Sequence, residues 1–335
     1  MKERQIVFIT GGTGLVGVPL IFKLLETGYF VKALYRSEKA RDKFRMLLGY
    51  YTNTVDEIYS KIEWIKGDIL DKQLLEEVIE ENDFVVHAAA FVSFKKKDKK
   101  RIKTINIKGT ENLVDVSLHR KAKRFIHISS IAAIDCKSSE ELCDEKSFPS
   151  HFNSIYASSK TKAEFEVWRG FEEGLKGTVV NPAVIIGPGN WKEGSSKIFK
   201  TIDKGLLYYT EGITGYVDVR DVAECVVYLV NLGITNERFI LSSENLSYRE
   251  LITKVASSLG KKVPTKKVSE RFIQLIRLLT FNTIVTKEMA NSASNVSRYS
   301  AEKMIKLWGK EFRRIDEAVE FTSGCFESGG RKPAS

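Results

Sequence analysis

The chain has 335 residues, of which 43% are hydrophobic and 29% are charged. This balance excludes an intrinsically disordered chain, and the length predicts one large domain with a smaller appendage. The formal net charge of +10 suits an anionic partner, whether a phosphate-bearing cofactor, an acidic substrate or nucleic acid, and does not choose among them.

The cysteines predict neither a zinc site nor a disulfide framework, because they form no CxxC motif and no histidine lies at ligand spacing. They are Cys136, Cys143, Cys225 and Cys325. We therefore expect no bound metal and a reducing, cytoplasmic compartment. Residues 1–4 run straight into a strand-like segment, so no signal peptide is predicted. No stretch of about 18 apolar residues predicts a membrane span.

Short β-branched and apolar runs alternate with helical patterns from the start of the chain. Such alternation is typical of repeated βαβ units around a parallel sheet. The fold class is therefore predicted to be α/β, a doubly wound parallel sheet with a smaller, mostly helical C-terminal lobe. The predicted strands are 5–10, 30–35, 62–67, 83–89, 124–130 and 178–186.

A glycine-rich turn lies between the first predicted strand and a predicted helix. Its glycines, Gly11, Gly14 and Gly17, follow the spacing GxxGxxG. They let the backbone turn sharply and approach a pyrophosphate, while the helix N-terminus offers free N–H groups to the anion. In this strand–turn–helix context the turn predicts dinucleotide binding, with Thr13 and Leu15 as part of the site.

The turn and the strand pattern together predict a Rossmann domain followed by a substrate lobe. The lobe is interleaved with the end of the sheet, so residues 216–242 are expected to return to the Rossmann domain. Helical patterns cover 196–205 and 216–230, and residues after about 246 are predicted to be mostly helical. The predicted divisions are a Rossmann domain at 1–187, a substrate lobe at 188–326 and a flexible tail at 327–335.

The end of the second predicted strand bears on the choice of cofactor. An NAD-preferring protein places an acid there for the ribose hydroxyls. This chain has Tyr35 and Arg36 and no carboxylate, and Arg36, with Lys39 and Arg41 nearby, could hold a 2′-phosphate. The alternative is that Arg36 is a solvated loop cation that stacks on adenine. We favour NADP(H), with NAD(H) as the alternative.

Two later strand ends are also predicted to line the cofactor. Asp68 and Ile69 follow the third strand, and Asp68 is placed to accept from the adenine amino group. Its alternative role is to form a turn at the strand end or to cap the helix that begins near Asp71. His87, in the fourth strand, is interpreted as structural. Small residues that permit close passage of a cofactor end this strand: Ala88, Ala89 and Ala90.

A tyrosine and a lysine four residues apart form the most informative stretch, Tyr156-Ala-Ser-Ser-Lys160. On a helix they share one face, and a cation beside a phenol lowers its pKa, which prepares Tyr156 for proton transfer near neutral pH. A surface Tyr/Lys pair is the alternative. Ser130 ends the fifth strand and would hold the substrate oxygen opposite Tyr156, which favours the catalytic interpretation.

Eight motifs occur in the order TGGTGLVG, GDILD, HAAA, NIKGTENLV, ISSIAAI, DEKSF, YASSK and NPAVIIGPG. In this order they resemble the extended short-chain dehydrogenase/reductase superfamily, the NAD-dependent epimerase/dehydratase family. The likeness covers nearly the whole chain. Residues 299–322 are similar to the C-terminal signature of the dihydroflavonol-4-reductase and 3β-hydroxysteroid dehydrogenase branch.

The resemblance implies roles for the catalytic residues. Tyr156 matches the acid/base, Lys160 the lysine that binds the nicotinamide ribose and tunes the tyrosine, and Ser130 the serine that polarises the substrate oxygen. Asn106 matches the asparagine that supports the proton relay and the active-site helix.

The resemblance also bears on the cofactor. The segment that lines the nicotinamide is matched by Pro182, Ala183 and Val184. Tyr35 stands where sugar-nucleotide epimerases commonly keep an aspartate, and Arg36 matches the arginine of NADP-dependent reductases. This departure from the epimerase pattern favours a reductase.

We therefore predict an NAD(P)-dependent oxidoreductase that transfers a hydride between nicotinamide and a carbonyl or secondary alcohol of a small molecule. The alternative enzyme is a nucleotide-sugar epimerase or dehydratase, which would retain NAD tightly and restore it in each turnover. A cofactor-sensing or interaction protein is the third hypothesis, although such members often lose the tyrosine or lysine kept here. The family resemblance suggests a homodimer, and no nucleic-acid partner is expected.

Two segments have alternatives of their own. Residues 95–101 hold six cations in seven positions. We interpret them as a solvated helix start rather than a site for an anionic substrate or nucleic acid, because no interleaved aromatic residues accompany them. Residues 271–285 are apolar with cationic interruptions. We interpret them as a buried helix of the substrate lobe, with a substrate lid or a membrane-surface helix as alternatives.

Overall fold

The computed structural model describes residues 5–93, 96–135, 141–147, 154–268 and 295–330. The apolar segment at 271–285 lies outside these ranges. Among the described residues, no helix has the length and the apolar character needed to cross a bilayer.

The strands are short runs rich in apolar and β-branched residues, the composition that suits a buried sheet. The strands predicted from the sequence lie within one or two residues of the observed ones, apart from the last. In chain order the described strands are β1 (Ile6–Thr10), β2 (Phe30–Tyr35), β3 (Ile62–Lys66), β4 (Phe84–His87), β5 (Arg124–Ile128), β6 (Leu142–Cys143), β7 (Gly177–Pro182), β8 (Val184–Ile186), β9 (Tyr208–Tyr209), β10 (Ile213–Asp218), β11 (Glu237–Leu241), β12 (Glu244–Ser247), β13 (Lys266–Lys267) and β14 (Arg298–Tyr299).

Helices connect most of these strands. A π-helical turn at Thr104–Lys108 joins two of the helices into one continuous segment. In chain order the described α-helices are α1 (Gly17–Glu26), α2 (Glu38–Leu48), α3 (Val55–Ser60), α4 (Lys72–Val78), α5 (Lys99–Lys103), α6 (Gly109–His119), α7 (Ile155–Glu172), α8 (Lys197–Asp203), α9 (Val219–Leu232), α10 (Tyr248–Ser258), α11 (Glu302–Trp308) and α12 (Ile315–Cys325).

Seven parallel strands form the main sheet in the order β11-β7-β5-β4-β1-β2-β3. The chain begins with β1, moves outward through β2 and β3, and returns to β4 on the other side of β1. This reversal opens a crevice at the carboxyl ends of β1 and β4, where ligands bind in doubly wound sheets. The predicted fold class is confirmed.

Helices cover both faces of the main sheet. On one face α1 and α9 pack together over residues such as Val7 and Ile9. On the other face α4, α6 and α7 cover Phe8, Val85 and Phe125. Successive side chains of a strand point to opposite faces, and both faces are apolar here because both are buried.

A smaller sheet, β12-β10-β8, contains the continuation of β7. The segment predicted as one strand at 178–186 is therefore two strands in two sheets. The amide of Ala183 still donates to Leu241 O at 2.9 Å, but β8 pairs with β10 from Val184 onward. Pro182 has no N–H to donate, so it suits the last position of β7.

Residues 216–230, predicted as one amphipathic helix, form the end of β10 and most of α9. The change occurs at Asp218, whose side chain accepts from the amide of Arg220 at 2.7 Å and caps α9. Gly233, with φ of 80°, ends α9. Of residues 216–242, α9 and β11 belong to the main-sheet layers, whereas 216–218 belong to the smaller sheet. The division into a Rossmann domain and a substrate lobe stays a prediction.

Two smaller expectations differ from the structure. Cys143 is disulfide-bonded, so the expectation of a chain without disulfides is wrong. The tail predicted to be flexible at 327–335 begins inside a helical turn, Phe326–Gly330, in which Phe326 is buried. Residues 331–335 lie outside the described part of the chain.

Gly17 begins α1 in close contact with the glycine-rich turn. A Cβ atom at Gly17 would lie 2.3 Å from Gly11 O and 2.5 Å from the Cα of Gly12. Because both neighbours are backbone atoms, we expect Gly17→Ala to lower the free energy of unfolding by about 1–3 kcal/mol, measured by urea unfolding.

The matched control is Gly324→Ala in α12, where a Cβ would meet nothing within 4 Å. Alanine is the better helix former, so this variant should gain about 0.5–1 kcal/mol. If both variants changed stability in the same direction and by the same amount, the close approach at Gly17 would carry no energetic weight.

Candidate active site

The glycine-rich turn lies against the end of β4. Gly11 has φ of 73°, and a Cβ there would lie 2.5 Å from both Ala88 C and Ala89 N. The amide of Gly14 donates to Gly11 O at 3.0 Å, and that of Ala88 donates to Thr10 O at 3.1 Å. The following helix, α1, has no acidic residue in its first turn and no side-chain cap. Its N-terminus therefore suits an anion.

The predicted cofactor residues lie at or just beyond the carboxyl edge of the main sheet, because each ends or follows a parallel strand. They are Gly11, Thr13, Gly14, Leu15 and Gly17 after β1, Arg36 after β2, Asp68 and Ile69 after β3, Ala88, Ala89 and Ala90 after β4, and Pro182, Ala183 and Val184 at the end of β7 and the start of β8.

Asp68 does not cap α4. Asp71 caps α4, since its Oδ1 accepts from the amide of Leu74 at 3.1 Å. Asp68 Oδ1 accepts from the amide of Leu70 at 3.1 Å, a bond within its own turn. The side chain of Ile69 is buried against Gly109 of α6. Asp68 therefore does not cap α4, but it does form the turn at the end of β3 that was the other alternative to cofactor binding.

The structure brings the predicted Ser/Tyr/Lys set together. Tyr156 and Lys160 lie in the first turns of α7, which Ser154 caps. The side chains of Tyr156 and Ser130 are hydrogen-bonded. Lys160 is only 2% exposed, and its Nζ donates to Ile128 O at 2.9 Å. A serine hydroxyl, a phenol and a buried ammonium therefore meet at the carboxyl end of β5.

Burial dominates the pKa values of this set. It raises the pKa of Tyr156 to about 12, and the hydrogen bond with Ser130 acts in the opposite direction. It lowers the pKa of Lys160 to about 8, against the charge of Glu164. The expected lowering of the Tyr156 pKa toward neutral is therefore not seen. Tyr156 keeps its proton at neutral pH, the state required of a proton donor.

Asn106 connects the loop after β4 to α7. It lies in the π-helical turn, is buried, and its Nδ2 donates to Ser159 Oγ at 3.0 Å and to Phe91 O at 3.1 Å. Its Oδ1 accepts from the Phe91 amide at 2.7 Å. Ser159 Oγ in turn donates to Tyr156 O at 2.7 Å. These contacts allow Asn106 to hold the helix that carries Tyr156.

His87 is bonded at both ring nitrogens. Nδ1 lies 2.7 Å from Thr10 Oγ1, and Nε2 lies 2.8 Å from Thr110 Oγ1. Because Thr110 Oγ1 donates to Asn106 O at 2.6 Å, Nε2 must be the donor to Thr110, and Thr10 must donate to Nδ1. Burial, followed by the charge of Lys160, lowers the pKa of His87 to about 3. This neutral, doubly bonded ring fits the structural interpretation.

A buried polar network that was not predicted from the sequence lies behind Lys160. Glu164 accepts from Asn181 Nδ2 at 2.6 Å and from Arg238 Nη1 at 3.2 Å. Asn181 Nδ2 also donates to Ser130 O at 2.9 Å. The four-residue spacing of Lys160 and Glu164 on one helix was the available signal. Nothing local in the sequence pairs either residue with Arg238.

The described part of the basic run is exposed. Lys97, Lys99, Lys100 and Arg101 all face solvent, and the Arg101 guanidinium lies 4.3 Å from the centre of the Phe91 ring. Lys95 lies outside the described residues. This exposure is what a solvated helix start requires.

The sequence also matches a known family. The family model described as "NAD dependent epimerase/dehydratase family" covers residues 7–241. The chain belongs to this family. It is accordingly an enzyme of the extended short-chain dehydrogenase/reductase type, whose members are NAD(P)-dependent reductases, epimerases and dehydratases. The predicted family is confirmed.

One reductase relative and two solved structures resemble this chain. A putative dihydroflavonol 4-reductase of Synechocystis sp. is 30% identical over 270 residues, 78% of this chain and 74% of that protein. The crystal structure of gox2253 has a TM-score of 0.84 at 26% identity, covering 98% of this chain and 100% of the other. The UDP-glucose 4-epimerase of Thermotoga maritima has a TM-score of 0.76 at 20% identity, covering 97% and 99%, and shows the fold alone.

The histidine at the end of β4 predicts a dependence of stability on pH. The pKa of His87 is about 3 in the folded chain and 6.5 ordinarily. The unfolded chain therefore binds the extra proton, and stability present above about pH 6.5 is lost as the pH falls through this window. Lowering the pH from about 7.5 to about 5 should cost about 2 kcal/mol through this group.

We expect His87→Asn to be less stable at neutral pH but to lose about 2 kcal/mol less than the parent on acidification, measured by urea unfolding at both pH values. His119→Asn is the control, because His119 is exposed and pairs with Glu76 on the surface. It should keep the parent's acid sensitivity. An unchanged acid sensitivity in His87→Asn would show that the buried ring does not stay neutral.

Proposed function

We propose that this family member is an NADPH-dependent reductase that converts a carbonyl group of a small molecule to an alcohol, and oxidises the alcohol in reverse. The observation that carries the proposal is the hydrogen-bonded pair of Ser130 and Tyr156 together with the buried Lys160, at the same edge of the main sheet as the glycine-rich turn. Because the fold is shared with epimerases, the residues of the site have to support the reaction.

In this proposal the hydroxyls of Ser130 and Tyr156 hold the substrate carbonyl oxygen by two hydrogen bonds. When bound, the nicotinamide supplies the hydride. Tyr156, whose pKa burial raises to about 12, gives its proton to the oxygen as negative charge develops there. The Lys160 ammonium favours the phenolate that Tyr156 becomes after this transfer.

The residues present fit a nicotinamide dinucleotide. The turn at Gly11 has no space for a side chain, and the uncapped N-terminus of α1 suits a pyrophosphate. Tyr35 is buried, and its hydroxyl is hydrogen-bonded to side chains of α2. The hydroxyl donates to Glu38 at 3.1 Å and accepts from Arg41 at 3.2 Å. Arg36 is exposed. The proposal therefore favours a 2′-phosphate beside Arg36, and so NADP(H) over NAD(H).

A nucleotide-sugar epimerase or dehydratase is the second candidate. It is favoured by the likeness in fold to the Thermotoga maritima epimerase, whose structure contains UDP-glucose. The absence of a carboxylate at Tyr35 and Arg36 argues against it, because tightly retained NAD needs a partner for its ribose hydroxyls.

A homodimer completes the proposal. The homodimer depends on the family resemblance. The cytoplasmic location depended partly on cysteines that predicted no disulfide, and the disulfide of Cys143 removes that support.

Two measurements test this function. The purified protein is titrated with the four nicotinamide forms, and it is then screened with ketones, aldehydes and nucleotide sugars. Absorbance of the nicotinamide reports net hydride transfer. We expect NADPH to be consumed with a carbonyl compound. Turnover of a nucleotide sugar without net change in the nicotinamide would select the second candidate.

Replacing Tyr156 with phenylalanine removes the transferable proton and little else. We expect Tyr156→Phe to lower kcat by about 100- to 10,000-fold and to leave NADPH affinity nearly unchanged. Tyr29→Phe is the control, since Tyr29 bonds to Asn231 at the opposite edge of the sheet. Steady-state kinetics and fluorescence titration give both quantities. Wild-type turnover in Tyr156→Phe would end the acid/base assignment.

Removing the guanidinium of Arg36 should change cofactor preference. A partly exposed, charge-assisted pair is worth about 1.5–3 kcal/mol, which is a preference for NADPH of about tenfold to a hundredfold. Arg36→Ala should weaken NADPH far more than NADH, and Tyr35→Asp with Arg36→Asn should reverse the order. The control is Lys306→Ala, which removes an exposed cation from α11, the helix that packs on β11 at the far edge of the main sheet. It should change neither affinity.

Dissociation constants for both cofactors at fixed salt decide the question. Equal affinities in the parent, or an equal loss for both cofactors in Arg36→Ala, would move the enzyme to the NAD side and strengthen the epimerase alternative.

A further inference from the structure

A buried polar network lies directly behind the catalytic set. Glu164 of α7, Asn181 of β7 and Arg238 of β11 are 2%, 0% and 3% exposed. Replacing a buried ion pair by apolar residues of similar volume is often neutral or stabilising, so stability alone does not account for such a pair. Its position relative to the catalytic residues is therefore informative.

The carboxylate of Glu164 is held at both oxygens. One oxygen accepts from Asn181 Nδ2 at 2.6 Å and the other from Arg238 Nη1 at 3.2 Å. Arg238 is itself fixed by backbone carbonyls. Its Nε and Nη2 donate to Glu145 O at 3.1 and 2.7 Å, and Nη2 also donates to Ser147 O at 3.2 Å. The charge of Glu164 therefore has one defined place beneath α7.

The network reaches the catalytic set at two points. Asn181 Nδ2 donates to Ser130 O at 2.9 Å, which fixes the backbone of the residue that bonds Tyr156. Glu164 follows Lys160 by one turn on the buried side of α7. The charge of Glu164 raises the pKa of Lys160, against the larger and opposite effect of burial.

The other groups around Lys160 give its charge little support. His87 of β4 and His127 of β5 lie beside it, and burial keeps both rings neutral by lowering their pKa values. On α7 itself, Tyr156 is uncharged because burial raises its pKa to about 12. Arg238 brings a second cation to the far side of Glu164.

We propose that Glu164 is a positioning residue, which keeps Lys160 protonated by its charge and holds Ser130 in place through Asn181, with Arg238 fixing the carboxylate. This inference rests on the proposed reductase function, because it concerns the working state of Lys160. It assigns a role to three side chains that do not touch the reacting atoms.

The first test is the pH profile of Glu164→Gln, which removes the charge and keeps the shape. Burial lowers the pKa of Lys160 to about 8, so loss of its proton should produce the alkaline fall of kcat/KM for carbonyl reduction. Glu164→Gln should move this fall about one pH unit lower. Glu164→Asp, which keeps the charge, should recover most of the parent profile.

The matched control is Glu166→Gln, two residues further along α7. Glu166 pairs with Arg169 on the outer side of the helix. This variant should leave the alkaline fall of kcat/KM where the parent has it. The comparison separates the effect of the Glu164 charge from that of any glutamine in α7.

A second test needs neither cofactor nor substrate. The pKa of Lys160 is about 8 in the folded chain and 10.5 ordinarily. The unfolded chain therefore binds more protons between these values, and the free energy of unfolding rises with pH through the window. The rise should begin about one pH unit lower in Glu164→Gln than in Glu166→Gln, measured by urea unfolding. This result stands even if no carbonyl substrate is turned over.

Glu164→Gln removes the carboxylate that pairs with the buried Arg238 guanidinium, so we expect it to lower the folding yield. If the single variant does not fold, Glu164→Gln with Arg238→Gln replaces both charges. A smaller downward shift is then expected, because loss of the more distant Arg238 cation acts in the opposite direction. A shift in either variant, absent from Glu166→Gln, supports the proposal. The contrary result is a lower free energy of unfolding with no change in the pH profile of kcat/KM or in the pH at which the free energy of unfolding begins to rise. It would mean that the network is only structural, and it would overturn the proposal.

Discussion

The backbone of Gly11 passes so close to Ala88 and Ala89 that even a single Cβ atom does not fit between them. This contact brings the end of β1 against the end of β4, at the point where the strand order reverses. It places the N-terminus of α1 at the crevice, and it brings the Thr10 side chain to His87. The proposed cofactor site depends on this approach, because a larger separation would remove the turn from the edge of the sheet.

From this contact a chain of hydrogen bonds leads into the active-site helix. Each member is held by the next, and the imidazole in the middle stays neutral because burial lowers its pKa. The glycine-rich turn and α7 are thus tied together through side chains as well as through the sheet. In order, the members are Thr10, His87, Thr110, Asn106, Ser159 and the carbonyl oxygen of Tyr156.

Local patterns were enough to predict six of the seven strands of the main sheet and the shared helix of Tyr156 and Lys160, because strand periodicity and a four-residue spacing are properties of short segments. The strand β11 was not predicted. The break after Pro182 was missed because the apolar run continues through it into another sheet. The raised pKa of Tyr156 was missed because burial depends on the assembled fold. Glu164 and Arg238 pair across 74 residues, and such a contact has no local signature.

In the proposed reaction, the hydride of NADPH is transferred to the substrate and is released with the product. The most direct test of this transfer uses NADPH that carries deuterium at the reactive carbon of the nicotinamide. One equivalent of this NADPH is mixed with the protein and a carbonyl substrate. Mass spectrometry of the product and absorbance of the cofactor are read together. The account predicts that NADPH is lost in step with alcohol formation and that deuterium appears on the carbinol carbon. Formation of an isomer of a nucleotide sugar with no net loss of the nicotinamide would contradict it.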